Sequence, residues 1–291
     1  MPKKIVFTFI LLAAALLSFA QDERARLDRI TDSLMAEGKT LYRSEWTSWY
    51  GTDAFMAKCP QKKALSGGYF SYETEQNLVN IFFSRDENPK VIATITFQKD
   101  FNSENYMLDT TVRKFTGTEQ KYFDIRKAAV DYMKTDSIFK GYKNTTLNLV
   151  PIIENNEKKL YVLTGTSLHG VVIFGNDYLM YFDNNNAVTS AKRLHKNIIP
   201  VYLKSDSGKT QKETFHIHLS PTDEFITATD ICTLMLYEKL TTWETHFVRS
   251  KKYVSIWDCK TNQLVIITKE AIERIQEDQE KRHPEKKEKD N

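Results

Sequence analysis

Two histidines and an aspartate in this chain have the residue types and spacing of a metal site. His216 and His218 lie two residues apart in a strand-like run, and Asp230 follows twelve residues after the second histidine. Residues i and i+2 of a strand point to the same face, so the two imidazoles are expected side by side. Two imidazoles and a carboxylate suit zinc with a fourth position left for water, whose pKa the ion lowers toward neutrality.

A strand, a polar connection and a helix are predicted to position these three side chains. The run 214–219 predicts the strand, and Thr227 or Thr229 predicts the N-cap of a helix that continues through Leu240. A chain that leaves the strand and turns into the helix there brings Asp230 back to the strand end. The alternative interpretation is a chance histidine pair and an acid that is favoured at a helix start by the helix dipole.

The remaining sequence predicts an α/β (α+β) fold with a mixed, largely antiparallel sheet flanked by helices. Residues 22 to about 50 predict a helix, and the runs 78–83 and 91–97 predict a β-hairpin, which together form an N-terminal helix-plus-hairpin region. Thr116 and Glu119 match the capping-box pattern and predict a helix over about 118–134.

Strands dominate after that helix. The runs 171–174 and 178–182 flank Gly175, Asn176 and Asp177, and they predict a hairpin with a tight turn. Residues 187–196 fit either a short helix or a further strand. The other predicted elements are strands at 147–153, 160–163, 198–203, 214–219, 246–249, 253–257 and 263–267, followed by a charged helix near Glu270.

The N-terminus has the composition of a secretory signal peptide. Lys3 and Lys4 precede a short apolar run, and small residues at Ser18 and Ala20 predict cleavage after Ala20. We therefore expect a periplasmic or secreted protein with no membrane span after cleavage.

Four regions follow from these patterns. The last of them has no apolar residue near its end apart from Pro284, so its tail is expected to be disordered. The regions are a signal peptide (1–20), an N-terminal helix and β-hairpin region (21–115), an α/β domain (116–268) and a charged C-terminal helix with a disordered tail (269–291).

The charge balance argues against nucleic acid as a partner, and the cysteine content leaves the formation of a disulfide open. The 41 basic and 38 acidic residues become 39 and 38 once Lys3 and Lys4 are removed, so electrostatics do not favour nucleic acid as a partner. Cys59, Cys232 and Cys259 are scattered along the chain. One disulfide with one remaining thiol is possible in an exported protein, and spacing does not choose the pair.

An aromatic run follows the predicted N-terminal helix. Its members are Trp46, Trp49, Tyr50 and Phe55. Such a group either packs in the core where a helix meets a sheet or lines a ligand groove, and the core interpretation is favoured.

The pattern His216-x-His218 followed by Thr227-x-x-Asp230 resembles the signature of the JAB/JAMM (MPN) metalloprotease superfamily, H-x-H and then S-x-x-D. The resemblance extends over roughly residues 118–268. It implies metal ligation by the two histidines and Asp230, and support of a transition-state oxyanion by Thr227 in place of the family's serine.

The resemblance also implies a glutamate general base on an upstream strand. Glu157, which precedes the run 160–165, and Glu154 are the two candidates. Together these residues imply an exported zinc-dependent hydrolase that attacks an amide or isopeptide bond of a peptide or protein substrate.

Two other hypotheses stay open from the sequence. One is a non-enzymatic exported α/β binding protein of unknown ligand, which includes a catalytically dead relative of the family. The other is a structural metal site in which Cys232 supplies the fourth ligand, so that no open water position remains. The sequence does not indicate the substrate or the oligomeric state.

Overall fold

The computed structural model describes residues 2–204 and 208–282, with side chains from residue 21 onward. The predicted tail beyond residue 282 and the side chains at the predicted cleavage site lie outside the described residues. The helices are α1 (Pro2–Lys58), α2 (Gly117–Met133), α3 (Ala228–Tyr237) and α4 (Lys269–Arg282). Within the described ranges, no helix combines the length and apolar character needed to cross a membrane.

The described strands form four sheets. In chain order they are β1 (Ser66–Glu73), β2 (Asn77–Ser84), β3 (Val91–Gln98), β4 (Tyr106–Asp109), β5 (Thr145–Glu154), β6 (Glu157–Thr166), β7 (Val171–Gly175), β8 (Tyr178–Phe182), β9 (Val188–Arg193), β10 (Ile198–Tyr202), β11 (Glu213–Ile217), β12 (Thr245–Arg249), β13 (Tyr253–Asp258) and β14 (Gln263–Thr268). The sheet orders are β1-β2-β3-β4, β5-β6-β8-β9, β10-β7 and β11-β12-β13-β14.

The predicted α/β class with largely antiparallel sheets is confirmed. Among the strand pairs of the described residues, β11 and β12 run parallel and the others run antiparallel. The predicted N-terminal hairpin is formed by β2 and β3, and the capping box at Thr116 and Glu119 begins α2.

The N-terminal helix is longer than the predicted span of 22 to about 50. α1 continues to Lys58 and ends just before Pro60, because proline restricts the preceding residue and cannot continue the helical hydrogen bonds. Its apolar positions Leu27 and Leu41 are buried. α1 contacts α3 and the sheets on both sides, so one helix connects the N-terminal sheet with the part of the chain that carries His216 and His218.

The predicted hairpin over 171–182 is wrong. β7 pairs with β10, whereas β8 pairs with β6 and β9, so the two strands belong to different sheets. Gly175 and Asn176 have φ angles of 72° and 52°, and this backbone turns the chain from one sheet to the other. The ambiguous segment 187–196 forms β9, followed by a bend.

A large apolar core lies between α1, α3 and the sheet β11–β14. Phe174, Ile231, Trp243 and Trp257 are buried in it. The three cysteines are free thiols and are also buried, so none is exposed for pairing. The core between α1, α3 and the sheet β11–β14 packs against the inner face of β11, the strand that carries His216.

Candidate metal centre

Four donor side chains meet inside this part of the fold. The ligand atoms of His195, His216, His218 and Asp230 all lie within 4.8 Å of one another, and all four residues are buried. None of the four is more than 5% exposed. The three residues predicted from the sequence are therefore brought together with a third histidine, and this group could bind a metal ion.

Strand geometry places His216 and His218 side by side, as predicted. His216 lies in β11, and the His218 amide donates to the Arg249 carbonyl at 2.8 Å, which extends the β11–β12 ladder by one residue. Phe215 and Ile217 alternate with the histidines and are exposed. The two imidazoles therefore share the inner face of the strand.

Asp230 is fixed by the first turn of α3. Thr227 is the N-cap, and its Oγ1 accepts a hydrogen bond from the Asp230 amide at 3.2 Å. Asp230 Oδ2 accepts in return from the Thr227 amide and from the Thr227 hydroxyl, both at 2.8 Å. The other oxygen, Oδ1, is buried and has no hydrogen-bond partner among the described residues. It lies 3.2 Å from His195 Nε2 and 3.7 Å from His216 Nε2.

His195 reaches the group from the bend between β9 and β10. Its Nδ1 lies 2.7 Å from Asp177 Oδ1, and the Leu194 amide donates to the Asp177 carbonyl at 3.0 Å. Asp177 Oδ2 accepts from the Thr229 hydroxyl at the start of α3. A side chain at Gly175 would collide with the Asn197 carbonyl oxygen and crowd His195. The turn between β7 and β8 therefore holds His195 in place.

The hydrogen bonds at Nδ1 turn the Nε2 atoms of two histidines toward the centre. His218 Nδ1 lies 3.1 Å from the Asp223 carbonyl oxygen, which can only accept, so this nitrogen carries a proton, and in the neutral imidazole the lone pair is on Nε2. His195 Nδ1 donates to Asp177 in the same way. The two Nε2 atoms nevertheless lie 2.8 Å apart, and His216 Nε2 lies 3.0 Å from His218 Nε2.

A second pair of residues orients His216. Its Nδ1 lies 2.9 Å from His246 Nε2, and His246 Nδ1 lies 2.7 Å from Thr214 Oγ1. Burial lowers the pKa of His246 to about 3, so this imidazole is neutral and has one donor and one acceptor nitrogen. When His246 donates to Thr214 it accepts from His216 Nδ1. The third Nε2 lone pair then also faces the centre.

The charges of the group favour a bound cation. Burial lowers the pKa of His195, but the carboxylates of Asp177 and Asp230 outweigh burial and raise it well above its usual range. Burial raises the pKa of Asp230, but His195 and His216 hold it well below its usual range. One proton on His195 can bridge one of the short contacts. When His246 donates to Thr214, His216 and His218 are then left lone pair against lone pair. A metal ion interacts favourably with all four donors at once.

The two glutamates implied by the resemblance are not brought to this group. Glu154 and Glu157 face each other at the β5–β6 turn. Glu157 lies 3.4 Å from Lys159, and Glu154 accepts from Thr40 at 3.3 Å. Thr164, seven residues along β6 from Glu157, lines a small cavity beside Asp230. At about 3.3 Å per residue, the strand places Glu157 roughly 20 Å from that cavity.

The fourth donor in the described structure is His195 and not Cys232. Cys232 is buried in α3 in a different part of the core, where it packs with Leu41 and Leu179. Asp177 and His246, which orient two of the donors, were not predicted from the sequence. The signal that could have indicated them is the concentration of histidines, since four of the chain's six, at 195, 216, 218 and 246, contact one another here.

Comparison of the chain with protein-family models, with curated proteins and with solved structures gives no match. The resemblance to the JAB/JAMM superfamily therefore stays a prediction.

Replacing Asp177 by asparagine is expected to weaken the binding of a metal ion by about 10- to 100-fold, the range typical of partners that orient metal ligands. The amide cannot stabilise the His195 imidazole as a carboxylate does, and its NH2 can place a donor against Nδ1. Competition with a chromophoric chelator measures the affinity. Asp86→Asn, in an exposed loop, is the matched control. Equal metal affinities for Asp177→Asn and wild type would show that Asp177 does not orient His195 for metal binding.

Proposed function

We propose that this protein binds one zinc ion through His195, His216, His218 and Asp230. The observation that carries the proposal is the set of short contacts between Nε2 atoms, at 2.8 and 3.0 Å, beside a buried carboxylate oxygen that has no hydrogen-bond partner among the described residues. Two lone pairs at these separations repel each other unless a proton or a metal cation lies between them, and a metal ion can serve both contacts and the carboxylate oxygen together.

Three imidazole nitrogens and one carboxylate oxygen favour zinc among the common divalent ions. Calcium and magnesium prefer oxygen donors, whereas zinc takes nitrogen and oxygen in a tetrahedron. Tetrahedral zinc with bonds of about 2.0–2.1 Å places its donors about 3.3 Å apart. The contacts from 2.8 to 3.7 Å in this group scatter around that value.

The role that the geometry supports best is structural. Four protein donors would fill every position of a tetrahedron around the ion, and the residues that supply them are almost fully buried. The ion would connect the β9–β10 bend, β11 and the start of α3, which are distant in sequence. A closed site of this kind contributes folding free energy.

A second candidate function is the JAMM-like hydrolase that the sequence predicts, and one observation favours it. A cavity of about 20 Å³ lies beside Asp230, bordered by Asp177, Thr229 and Thr233. This volume holds about one water molecule, and zinc can accept a fifth ligand. A bound zinc ion would supply Lewis-acid activation there, while Asp177 and Thr229 could hold that water by hydrogen bonds. An amide or isopeptide bond of a peptide or protein would be the substrate.

Replacing zinc by cobalt(II) distinguishes the two candidates. A closed four-ligand site is expected to give the intense visible absorption of tetrahedral cobalt, and added azide leaves the spectrum unchanged. An open site exchanges its water for azide, and the spectrum changes. A spectral change together with hydrolysis of a peptide substrate favours the hydrolase, and absence of cobalt binding contradicts both candidates.

We also propose that the chain is exported, with cleavage after Ala20. The support is the charged start, the apolar run and the small residues of the sequence. Sequencing the N-terminus of the protein recovered from its natural host tests this. A mature chain beginning at Gln21 and found outside the cytoplasm is expected, and an intact chain starting at Met1 in the cytoplasm is the opposing result.

A further inference from the structure

A cleft of about 460 Å³ opens between α1, the end of β6 and α3. Many of its lining side chains carry hydroxyl groups, and Glu45 of α1 contributes a carboxylate to the lining. We call it the Glu45 cleft. It shares Leu163, Thr164, Ile173 and Thr233 with the small cavity beside Asp230, so its inner end lies next to the metal centre.

Two acids border the Glu45 cleft without a compensating cation. Among the described residues that line it, Glu45 and Asp53 are acidic and none is lysine or arginine. Neither acid belongs to any ion pair found between described residues. Surface acids without partners are common, so the surroundings of Glu45 decide whether this feature points to a ligand.

Glu45 is held in place and half of its carboxylate is left unused. Its Oε2 accepts from Asn148 Nδ2 at 2.5 Å, and Asn148 Oδ1 accepts from the Tyr69 hydroxyl at 3.0 Å. Its Oε1 has no hydrogen bond to the described residues. Burial raises the pKa of Glu45 to about 7, because little solvent is left to stabilise its charge. A ligand that donates to Oε1 and carries positive charge would restore that stabilisation.

Aromatic side chains complete the wall. Trp49 is 38% exposed at the cleft, and its ring lies edge-on to Tyr237 with centroids 5.6 Å apart. Trp46 and Phe55, from the same aromatic run, are buried in the core, as the favoured interpretation predicted. Trp49 instead lines the cleft with Tyr69. An aromatic face next to a carboxylate is a combination that binds organic cations.

We propose that the Glu45 cleft binds a primary ammonium group carried on an aliphatic stem. The ammonium donates to Glu45, and the stem lies against Trp49 and Tyr237. The hydroxyl of Thr233, which also lines the cleft, can bond the rest of the ligand. A lysine side chain of a peptide and a free alkyl diamine both have this chemistry. The inference goes beyond the proposed zinc site and does not depend on it.

The test uses the full mature chain, with and without zinc, and follows tryptophan fluorescence and binding heat. The probe is Nα-acetyl-lysine N-methylamide, and the comparison compound is the same molecule acetylated at Nε, which has no charge. We expect the charged probe to bind at least about tenfold more tightly, as for a hydrogen bond between charged groups. Measured well below the melting temperature of the chelated protein, binding should be the same with and without zinc, so failure of the zinc proposal is recognised separately.

The variant Glu45→Gln should reduce binding of the charged probe at least about tenfold, and the exposed control Glu75→Gln should leave it unchanged. Because the pKa of folded Glu45 is raised, its ionisation opposes folding above its usual pKa, so Glu45→Gln should melt no lower than wild type at pH 8.

Trp49→Leu should weaken binding of the charged probe severalfold. 1,5-Diaminopentane distinguishes the two sources: equal affinity indicates a free amine, and weaker affinity indicates a peptide. Equal binding of charged and neutral probes, no binding at millimolar concentration, or unchanged binding by Glu45→Gln overturns the proposal.

Discussion

Removing the metal with a chelator is expected to lower the free energy of unfolding of this protein by about 4 kcal/mol or more, the stabilisation given by a ligand present at a thousandfold excess over its Kd. For a chain of this size the melting temperature should fall by roughly 8–16 °C. Without the ion, the Nε2 atoms of His195, His216 and His218 face one another across 2.8 and 3.0 Å contacts. Their repulsion must then be relieved by protonation or by local opening. Calorimetry with and without dipicolinate measures the difference.

The control for chelation is the double variant His216→Ala, His218→Ala. It cannot hold the ion, so we expect its melting temperature to be low already and insensitive to dipicolinate. Readdition of zinc should restore the melting temperature of the wild-type protein and leave that of the variant unchanged. If dipicolinate removes zinc from the wild-type protein and its melting temperature does not change, the ion does not stabilise the fold.

Replacing His195 by alanine is expected to reduce zinc affinity by more than a hundredfold. Residues that only orient a metal ligand are worth about 10- to 100-fold, and a direct ligand should exceed that range. The loss also leaves Asp177 without its imidazole partner at 2.7 Å. This variant separates the four-donor account from the three-donor site that the sequence predicts, in which water takes the fourth position.

His169→Ala is the matched control for this variant. His169 lies in an exposed turn before β7 and does not belong to the four-donor group. Both variants lose one imidazole, so a general effect of histidine removal would appear in both. We expect His169→Ala to keep wild-type affinity in a chelator competition. A His195→Ala protein that also keeps it would show that His195 is not a ligand.

Local patterns in the sequence predicted the parts of the site that are close together along the chain. The i, i+2 spacing placed His216 and His218 on one face of β11, because side chains alternate along a strand. The spacing of Thr227 and Asp230 is that of a capping box, and the same bonds that start α3 hold the Asp230 carboxylate. Each of these features depends on a few neighbouring residues, and it could therefore be predicted from the sequence.

The rest of the site depends on how distant strands pair. His195 precedes His216 by 21 residues and lies in a bend, so no periodicity marks it. The predicted hairpin between β7 and β8 hid the role of Asp177, because a tight turn within one sheet would not have reached β9. The strands separate at Gly175 instead, and this carries Asp177 to His195. Strand pairing across sheets is set by the whole core, and local turn residues do not specify it.

The measurement that tests the central claim most directly is the metal content of the purified chain. The untagged protein is purified without chelator, and zinc is quantified by mass spectrometry of the dissolved metal against protein concentration. We predict one equivalent of zinc in wild type and in His169→Ala, and almost none in His216→Ala, His218→Ala. A wild-type protein that contains no metal and takes up none from added zinc would contradict the account.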